Sequence, residues 1–447
     1  MSQFATAFAR AVAAAGGRAL EVGGTVRDRL LGRVGKDLDL EVYGLEPERL
    51  EAVIAGFGPV RKVGARLGVY VLHGTEIALP QGPGGVEDPH LVPEQASRRR
   101  DLTVNALMRD PLSGEFLDFQ GGRADLAARR LRHVEAATFV EDPLRLLRVV
   151  RLHAELGFRI DPETAALCRR LSLAGIAWER IGQELGSWLL RAAHPERGMD
   201  ALVYTGAERH FPALRRLLGC PVPPGIRGGA DAWALTRAVL AGAGQRCTGE
   251  RGRDWPLMLA ALLQATGRPD TTRWRGDQGW TAPGAAAVAA ARVPLWLQGV
   301  DQGQTVERTV RRLVAEQEAV DRLAAAEAGP SAYRRLALAV DSDLLLRLAE
   351  ARHSAFSGSD APYGAGLRAR GIWQAEDLLG KSPKPHLQGR DVQALGVAAG
   401  PEIGRWLERA FQAQLDGEFA DREGARAWLR RRMAAEGEGG IAPEGSP

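Results

Sequence analysis

The sequence predicts an α/β or α+β domain up to about residue 120, followed by a helical remainder. Short apolar runs separated by glycine turns are typical of strands, and four occur early in the chain: "RALEVGG", "DLDLEVYG", "GVYVLHGTEIALP" and "GEFLDFQGG". After about residue 123 the apolar spacing changes to the period of amphipathic helices and keeps it. The length of 447 residues, 45% of them hydrophobic, is sufficient for several packed domains.

Helices are also expected between the early strands, over "TVRDRLLG" and "EPERLEAVIAGFG". In the remainder, acidic residues and prolines mark helix starts before apolar faces, as in "DPLRLLRVVRLHAELGF", "DPETAALCRRLSLA" and "WERIGQELGSWLLRAA". Prolines at 380–389 interrupt this pattern before a small terminal module. The Gly-, Glu- and Pro-rich end is predicted to be disordered.

Composition excludes several classes of protein. Cys168, Cys220 and Cys247 are widely spaced and odd in number, which argues against a disulfide framework or a zinc site. The N-terminal segment resembles an amphipathic helix rather than a secretion signal, and no apolar run reaches the roughly 18 residues of a membrane span. We therefore expect a cytoplasmic protein without a membrane partner. Four lysines among 59 basic residues indicate either a GC-rich genome or a need for bidentate phosphate contacts.

Two aspartates one residue apart, Asp37 and Asp39, lie within an apolar strand pattern. Side chains at i and i+2 of a strand share one face, so both carboxylates can approach one hard cation. Magnesium binds in this way, through one or two carboxylates and substrate phosphates. The alternative is an ordinary edge strand with two solvated acids.

The residues just upstream favour the metal hypothesis. Gly23 and Gly24 lie between a strand and a helix, where backbone N–H groups can approach a phosphate, and Arg27 adds positive charge. Glu76, on another predicted strand, is a candidate third carboxylate; its alternative is a surface position. The glycine turn and the paired aspartates together indicate a phosphate cradle beside a metal site.

This arrangement resembles the nucleotidyltransferase superfamily. Later motifs narrow the resemblance to bacterial class II tRNA nucleotidyltransferases and their poly(A) polymerase relatives, most closely to CC-adding members. The motifs, which occur in the family's order, are "RRRDLTVNAL", "DFQGGRADL", "EDPLRLLRVVR" and "ERIGQEL". The resemblance is dense over residues 19–190 and returns in "LQGRDVQALGVAAGPEIGRWLERAFQAQLDGEF" near the C-terminus.

The resemblance implies an α+β, polymerase β-like nucleotidyltransferase head followed by an all-α neck, body and tail. The expected boundaries are 1–122 for the catalytic head, 123–195 for the neck with its nucleotide-reading helix, 196–370 for the body, 371–435 for a tRNA-binding tail and 436–447 for a disordered end. It also implies Mg²⁺ as cofactor, held by Asp37 and Asp39.

The resemblance further assigns roles to individual residues. Asp101 and Asn105 would face the ribose and Arg100 the phosphates; a local salt bridge and a turn cap are the alternatives. The remaining nucleotide-binding candidates recur along one helix, where neighbours three apart lie side by side: Asp142 and Arg145 for reading the base, Arg148 and Arg151 for nucleotide contacts, and Glu141 for orienting the reading pair. The alternative for that helix is a solvated charge stripe, with Arg151 and Glu155 as an i,i+4 ion pair. Glu179, Arg180 and Glu184 of the "ERIGQEL" element are expected to brace the helix, a structural role.

The implied reaction is metal-dependent, template-independent addition of nucleotides to the 3′ end of tRNA, with CTP as substrate and ATP as the alternative substrate. The segment before the R-R-D motif, "QGPGGVEDPHLVPEQAS", is short and lacks Lys and Arg, whereas full CCA-adding relatives carry a longer basic loop. We therefore expect addition of CC alone, with the terminal A left to a separate A-adding enzyme. The alternatives are a full CCA-adding or A-adding enzyme, a poly(A) polymerase, or a non-catalytic RNA-binding protein, which the intact D-x-D motif opposes.

Overall fold

The chain forms two compact units, Met1–Pro212 and Ala213–Pro447. The computed structural model describes residues 2–33, 38–63, 68–223, 225–226, 230–298, 300, 303–357 and 362–438. The finer division into head, neck, body and tail stays a prediction.

A seven-stranded mixed sheet forms the centre of the first unit. Its strands are β1 (Arg18–Val22), β2 (Leu38–Tyr43), β3 (Arg61–Val63), β4 (Val69–Leu72), β5 (Thr75–Ala78), β6 (Met108–Arg109) and β7 (Phe116–Leu117). Their spatial order is β3-β4-β5-β2-β1-β6-β7. Strands β2 and β5 run parallel, and the other neighbours are antiparallel. This sheet confirms the predicted α+β class of the N-terminal part.

Helices surround and follow this sheet. In the first unit they are α1 (Ser2–Ala14), α2 (Gly24–Leu30), α3 (Pro47–Ala55), α4 (Pro93–Arg98), α5 (Gly122–Ala127), α6 (Ala136–Phe139), α7 (Arg145–Leu156), α8 (Pro162–Cys168), α9 (Trp178–Arg191) and α10 (Glu196–Thr205). Short 3-10 turns cover Pro83–Gly85, Thr103–Asn105 and Ala207–His210.

The alternation of β2 separates packing from chemistry. Leu38, Leu40 and Val42 are buried in an apolar cluster that includes Phe8 of α1. Because successive strand residues point to opposite faces, Asp39, between Leu38 and Leu40, projects from the other face. The sequence "LDLEV" therefore anchors one face of the strand in the core and leaves the other available for a polar site.

The second unit is mostly helical. Its helices are α11 (Pro212–Arg215), which starts at the boundary, α12 (Ala232–Gly244), α13 (Arg251–Leu263), α14 (Arg268–Thr271), α15 (Ala285–Leu297), α16 (Gln304–Ala315), α17 (Ala319–Ala325), α18 (Pro330–Ala339), α19 (Ser342–Ser357), α20 (Gly364–Ala375), α21 (Gly389–Gln393), α22 (Pro401–Asp416) and α23 (Arg422–Glu438). Helix α12 packs on α13 and α19, and a separate apolar cluster near the C-terminus contains Trp406 and Trp428.

Two short ladders interrupt the helical remainder, which the sequence predicted to be entirely helical. Parallel strands β8 (Arg130–Leu131) and β9 (Arg159–Ile160) pair in the first unit. Antiparallel strands β10 (Arg273–Trp274) and β11 (Trp280–Thr281) flank a short 3-10 turn in the second. At two residues per strand, all four fall below the length at which alternation is recognisable in a sequence.

The described residues also bear on two other expectations. Helix α23 continues to Glu438, so the first three positions of the predicted disordered end are helical, while residues 439–447 lie outside the described residues. Among the helices that the structure describes, none combines the length and apolar character needed to cross a membrane.

Candidate active site

A cavity of about 1020 Å³ lies in the first unit, beside β2 and the N-terminal half of α7. Its lining brings together most of the predicted site residues: Gly23, Gly24, Arg27, Asp39, Glu76, Arg100, Asp101, Asn105, Asp142, Arg145, Arg148 and Arg151. Asp37 lies outside the described residues. Glu141 is described but is not part of the lining. The structure thus gathers residues from five separate motifs around one space.

Two carboxylates meet at the sheet. Asp39 on β2 is the register partner of Glu76 on parallel β5, so their side chains project from the same face. At Gly23 (φ 67°) an added Cβ would lie 3.8 Å from Oδ2 of Asp39, and the bare backbone keeps the space beside that carboxylate open. In the described part of the chain no three His, Cys, Asp or Glu side chains form a metal-binding group. Two oxygen-donor carboxylates suit a hard divalent cation.

Arg27 connects the glycine turn to the ribose-facing candidates. It is buried and donates from Nη1 to Oδ1 of Asn105 at 2.8 Å and from Nε to Asp28 at 2.8 Å. Asn105 in turn donates from Nδ2 to Oδ1 of Asp101 at 3.1 Å. These bonds fix the amide orientation of Asn105 at the cavity wall.

Asp101 continues this network into α7. Its Oδ2 accepts from Nε of Arg148 at 2.7 Å. Burial alone would raise the pKa of Asp101, but the Arg148 charge and hydrogen bonds from Asn105 and the Leu102 N–H outweigh it and hold the pKa well below its usual range. Asp101 is therefore a fixed negative charge at neutral pH.

Glu184 on α9 holds the two arginines of α7 from behind. Its carboxylate accepts from Nε of Arg151 at 2.7 Å and from Nη1 of Arg148 at 3.4 Å. Arg151 also donates to Glu155 at 3.1 Å, which is the predicted i,i+4 ion pair. The predicted bracing role of the "ERIGQEL" segment thus has a physical basis in Glu184.

Asp142 and Arg145, the two base-reading candidates, are each held by a different set of groups. Arg145 donates from Nη1 to the Thr138 carbonyl at 2.6 Å and from Nη2 to the Arg99 carbonyl at 2.5 Å. Asp142 accepts from Arg180 at 3.1 Å. Glu141, expected to orient Asp142 and Arg145, instead pairs with Arg99 at 2.6 Å.

One contributor to the site was not singled out from the sequence. Glu41 accepts from Arg100 at 2.8 Å and also from the Tyr43 hydroxyl. The sequence does contain a pattern that indicates Glu41, because this residue extends the i, i+2 series of Asp37 and Asp39 along the same strand face. Arg180 was predicted only to brace the helix, and its contact with Asp142 had no such pattern, since only tertiary folding brings α9 to that position.

The segment between β5 and the R-R-D motif is held in place by backbone hydrogen bonds. Gly82 N donates to Val86 O at 2.7 Å, and Asp88 N donates to Pro80 O at 2.9 Å. Gly44 N, at the end of β2, donates to Pro89 O at 2.7 Å. Gln81, at the start of the segment, lines the cavity.

Known proteins share these features. The family described as "Poly A polymerase head domain" matches residues 85–132, and the one described as "Probable RNA and SrmB- binding site of polymerase A" matches residues 157–218. The multifunctional CCA protein of Pseudomonas aeruginosa is 34% identical over 418 residues, which cover 88% of this chain and 97% of that protein. The chain belongs to the tRNA nucleotidyltransferase and poly(A) polymerase family.

Other members of the family match over a shorter range. The multifunctional CCA protein of Halorhodospira halophila is 40% identical over 49% of this chain and 56% of its own length. The multifunctional CCA protein of Leptothrix cholodnii is 39% identical over 57% of this chain and 62% of its own length. Among solved structures, the CCA-adding enzyme of Bacillus stearothermophilus in complex with CTP is similar with a TM-score of 0.67, 25% identity and 98% coverage of both chains. Membership of this nucleotidyltransferase family implies dependence on a divalent metal ion.

Proposed function

We propose that this protein adds nucleotides to the 3′ end of tRNA without a nucleic-acid template. The observation that carries the proposal is the cavity itself, in which the carboxylates Asp39 and Glu76 share one space with the Asp101–Arg148 network. Metal-holding, sugar-binding and base-reading groups are the three parts that such a reaction requires. The names of the relatives, multifunctional CCA proteins and CCA-adding enzymes, agree with this activity.

Mg²⁺ is the proposed metal, held by Asp37 and Asp39 with Glu76 as the third carboxylate. The donor set fits, because Mg²⁺ takes oxygen ligands and commonly uses one or two carboxylates together with substrate phosphates. When bound, the metal supplies positive charge for the phosphate oxygens and for the attacking hydroxyl.

In the proposed reaction, the 3′ hydroxyl of the tRNA attacks the α-phosphorus of the nucleotide. The new bond joins the 3′ oxygen to that phosphorus, and the hydroxyl proton is released to solvent. The bond between the α-phosphorus and the oxygen that bridges to the β-phosphate breaks, and pyrophosphate leaves with that oxygen. Gly23 and Gly24 provide backbone at the phosphates, with Arg27 and Arg100 as nearby positive charges. Asp101 and Asn105 position the ribose, since both present polar atoms to the cavity from a fixed network.

Asp142 and Arg145 are the proposed base readers, and Glu141 acts on Arg145 indirectly through Arg99. A carboxylate and a guanidinium offer acceptors and donors in a fixed pattern. The two carbonyls that hold Arg145 fix the plane of its donors before a nucleotide arrives. Arg148 and Arg151 line the same wall and provide further nucleotide contacts.

Addition of CC alone is the finer form of the proposal. It is supported by the short segment 81–97, which contains three prolines and no Lys or Arg and is tied down by the hydrogen bonds from Gly82, Asp88 and Gly44. A segment so restrained is poorly suited to reshape the pocket from CTP to ATP. The terminal A would then come from a separate A-adding enzyme. The names of the relatives favour full CCA addition as the second candidate.

The test uses purified protein and tRNAs that end before CCA, after C and after CC. Each is incubated with CTP, ATP or both, and the products are sequenced. We expect ends that stop at CC even when ATP is present. Efficient formation of a CCA end would contradict CC-only addition and favour the full CCA-adding class. If no nucleotide were added to any of the tRNAs, the proposed activity itself would be wrong. Grafting a longer basic loop between Pro80 and Arg98 is expected to permit addition of A.

A further inference from the structure

The hairpin formed by β10 and β11, residues 273–281, carries an exposed tryptophan on the second unit. Trp274 is 60% exposed, and its register partner is Trp280 on the facing strand. The two rings meet edge to face, with centroids 5.4 Å apart and planes at 73°. Trp280 therefore supports one edge of the Trp274 ring and leaves much of the ring in solvent.

The base of this hairpin is fixed rather than loose. Asp270 in α14, just before β10, accepts from Arg216 at 2.7 Å and lies 2.6 Å from Arg292 of α15. Gly267 packs so closely on α15 that an added Cβ would lie 2.1 Å from the Ala285 carbonyl oxygen. The strands themselves are closed by the bond from Arg275 N to Gly279 O, 2.9 Å long. The ring of Trp274 is thus presented from a pre-organised support.

The charges of the hairpin suit a polyanion. Arg273 and Arg275 flank Trp274 in the sequence and are exposed, and Arg273, its neighbour in β10, projects from the opposite face of the strand. Within the described ranges neither arginine has a carboxylate at ion-pair distance. Asp277 in the turn is the acidic residue of the segment 273–281. The hairpin therefore offers an exposed aromatic ring and, next to it in the chain, two exposed cations.

We propose that this hairpin is a stacking platform for an unpaired base of the RNA substrate, with Arg273 and Arg275 at the phosphates next to that base. Aromatic rings combined with arginines are the general means by which proteins hold single-stranded nucleic acid, and RNA recognition uses bases splayed out of loops in the same way. The proposal rests on the proposed function, which makes tRNA the ligand. It adds a specific contact remote in sequence from the catalytic cavity, whose lining comes from residues 22–191.

The test measures tRNA affinity of the full-length chain with Trp274→Ala and Trp274→Phe. Base stacking on one ring corresponds to about tenfold in affinity, so the alanine variant is expected to bind about tenfold more weakly, and the phenylalanine variant to keep most of the affinity. Leu295→Ala is the matched control, because Leu295 is 74% exposed on the same unit but offers no ring. Its affinity is expected to equal that of the wild type.

A second readout separates this contact from the chemistry. For Trp274→Ala, KM for tRNA should rise while kcat at saturating tRNA stays unchanged. Replacing Arg273 and Arg275 by Ala should lower the slope of log affinity against log salt by about 0.7–0.9 per arginine. If the wild type binds tRNA and Trp274→Ala binds it with the same affinity, the hairpin proposal alone is overturned. This surface would then be left for a protein partner. A wild-type protein that binds no tRNA would overturn the proposed function as well.

Discussion

Asp39 is the single described residue on which the proposed chemistry depends most directly. Replacing Asp39 by Ala is expected to lower nucleotide addition by about 100-fold or more, because a metal ion contributes several kcal/mol of transition-state stabilisation. Fold and tRNA binding should persist, since Leu38 and Leu40 on either side still anchor β2 in the core. Addition is measured with a tRNA ending before CCA, and folding by circular dichroism.

The control for this prediction is Glu115→Ala, which removes an exposed carboxylate from the same unit but outside the cavity. It should extend tRNA at the wild-type rate. Near-normal addition by Asp39→Ala would end the carboxylate hypothesis.

Arg145 is expected to control which base is added. Its guanidinium is oriented by the carbonyls of Thr138 and Arg99, and one well-placed bidentate contact contributes about 1–3 kcal/mol of base discrimination. Arg145→Ala should therefore reduce the preference for CTP over its competitors by about tenfold to a hundredfold. The measurement is kcat/KM for each nucleotide.

Arg145→Lys is the informative companion, because it keeps the charge and loses the planar fork. It should lose discrimination to a similar degree while retaining affinity for the triphosphate. If both variants, and Asp142→Ala, kept the preference for CTP, the base-reading role would be wrong.

Helix α9 acts on the site through Glu184, which is buried and braces two arginines of α7. Glu184→Gln removes the charge that pairs with Arg148 and Arg151, and losing charge-assisted hydrogen bonds of this kind costs about 1–3 kcal/mol. We expect a lower free energy of unfolding and a raised KM for the nucleotide. Urea unfolding and nucleotide titration are the two measurements.

Glu179→Gln on the same helix serves as control, because Glu179 is exposed. It should alter neither quantity. A Glu184→Gln variant with wild-type stability and KM would show that α7 holds its arginines without α9.

The sequence predicts a contact or a secondary-structure element only when the residues that form it follow a regular spacing within one short segment. Asp39 was found because alternation within one strand places it opposite Leu38 and Leu40, and the ion pair of Arg151 with Glu155 follows from helical spacing. The pairing of Asp142 with Arg180 could not be found, since α7 and α9 meet only after folding. Strands of two residues, such as β10, carry too few positions for a period to be read. The described site residues other than Glu141 lie around one cavity, and their individual roles stay predictions.

For the whole molecule, we predict that tRNA binding weakens steeply with salt. Each neutralised phosphate contributes about 0.7–0.9 to the slope of log affinity against log salt, and the chain carries 59 basic residues. The expected contribution of the tail is best tested by substitution. Truncation before residue 371 would cut helix α20 and remove Glu376, whose carboxylate binds Arg334 at 2.7 Å.

The suitable substitution is Lys384→Ala, with Lys381→Ala as a weaker variant, because Lys381 is already paired with Asp377 at 2.6 Å. Lys62→Ala, which removes a lysine of the first unit that pairs with Glu51, is the control. Filter binding across a salt series would detect the loss of slope. An unchanged slope in a variant that combines Lys381→Ala and Lys384→Ala would show that these lysines do not contact RNA.

The first unit should lose stability in mild acid. Burial lowers the pKa of His133, His153 and His210 below the ordinary 6.5, so the unfolded chain binds more protons than the folded one. The stabilisation is complete above about pH 6.5 and declines as pH falls through and below that value. The lowered pKa of Asp101 acts with the same sign but only below about pH 4.

Thermal unfolding at pH 7.5 and pH 5.5 checks this prediction, with a lower Tm expected at pH 5.5. His153→Gln should reduce the difference between the two pH values, because the Nδ1 contact of His153 with the Phe158 carbonyl is then replaced by a group that does not titrate. If the wild type had the same Tm at both pH values, the predicted loss of stability through histidine protonation would be wrong.

The series of bonds from Arg27 through Asn105, Asp101 and Arg148 to Glu184 has a consequence for how mutational effects combine. Residues in one such network show coupling energies of about 0.5–3 kcal/mol rather than independent effects. The residues proposed to position the sugar and to contact the nucleotide therefore form one cooperative unit, and the second substitution within it is expected to remove less than it would alone. Double-mutant cycles along this series, rather than single alanine variants, measure what each member contributes.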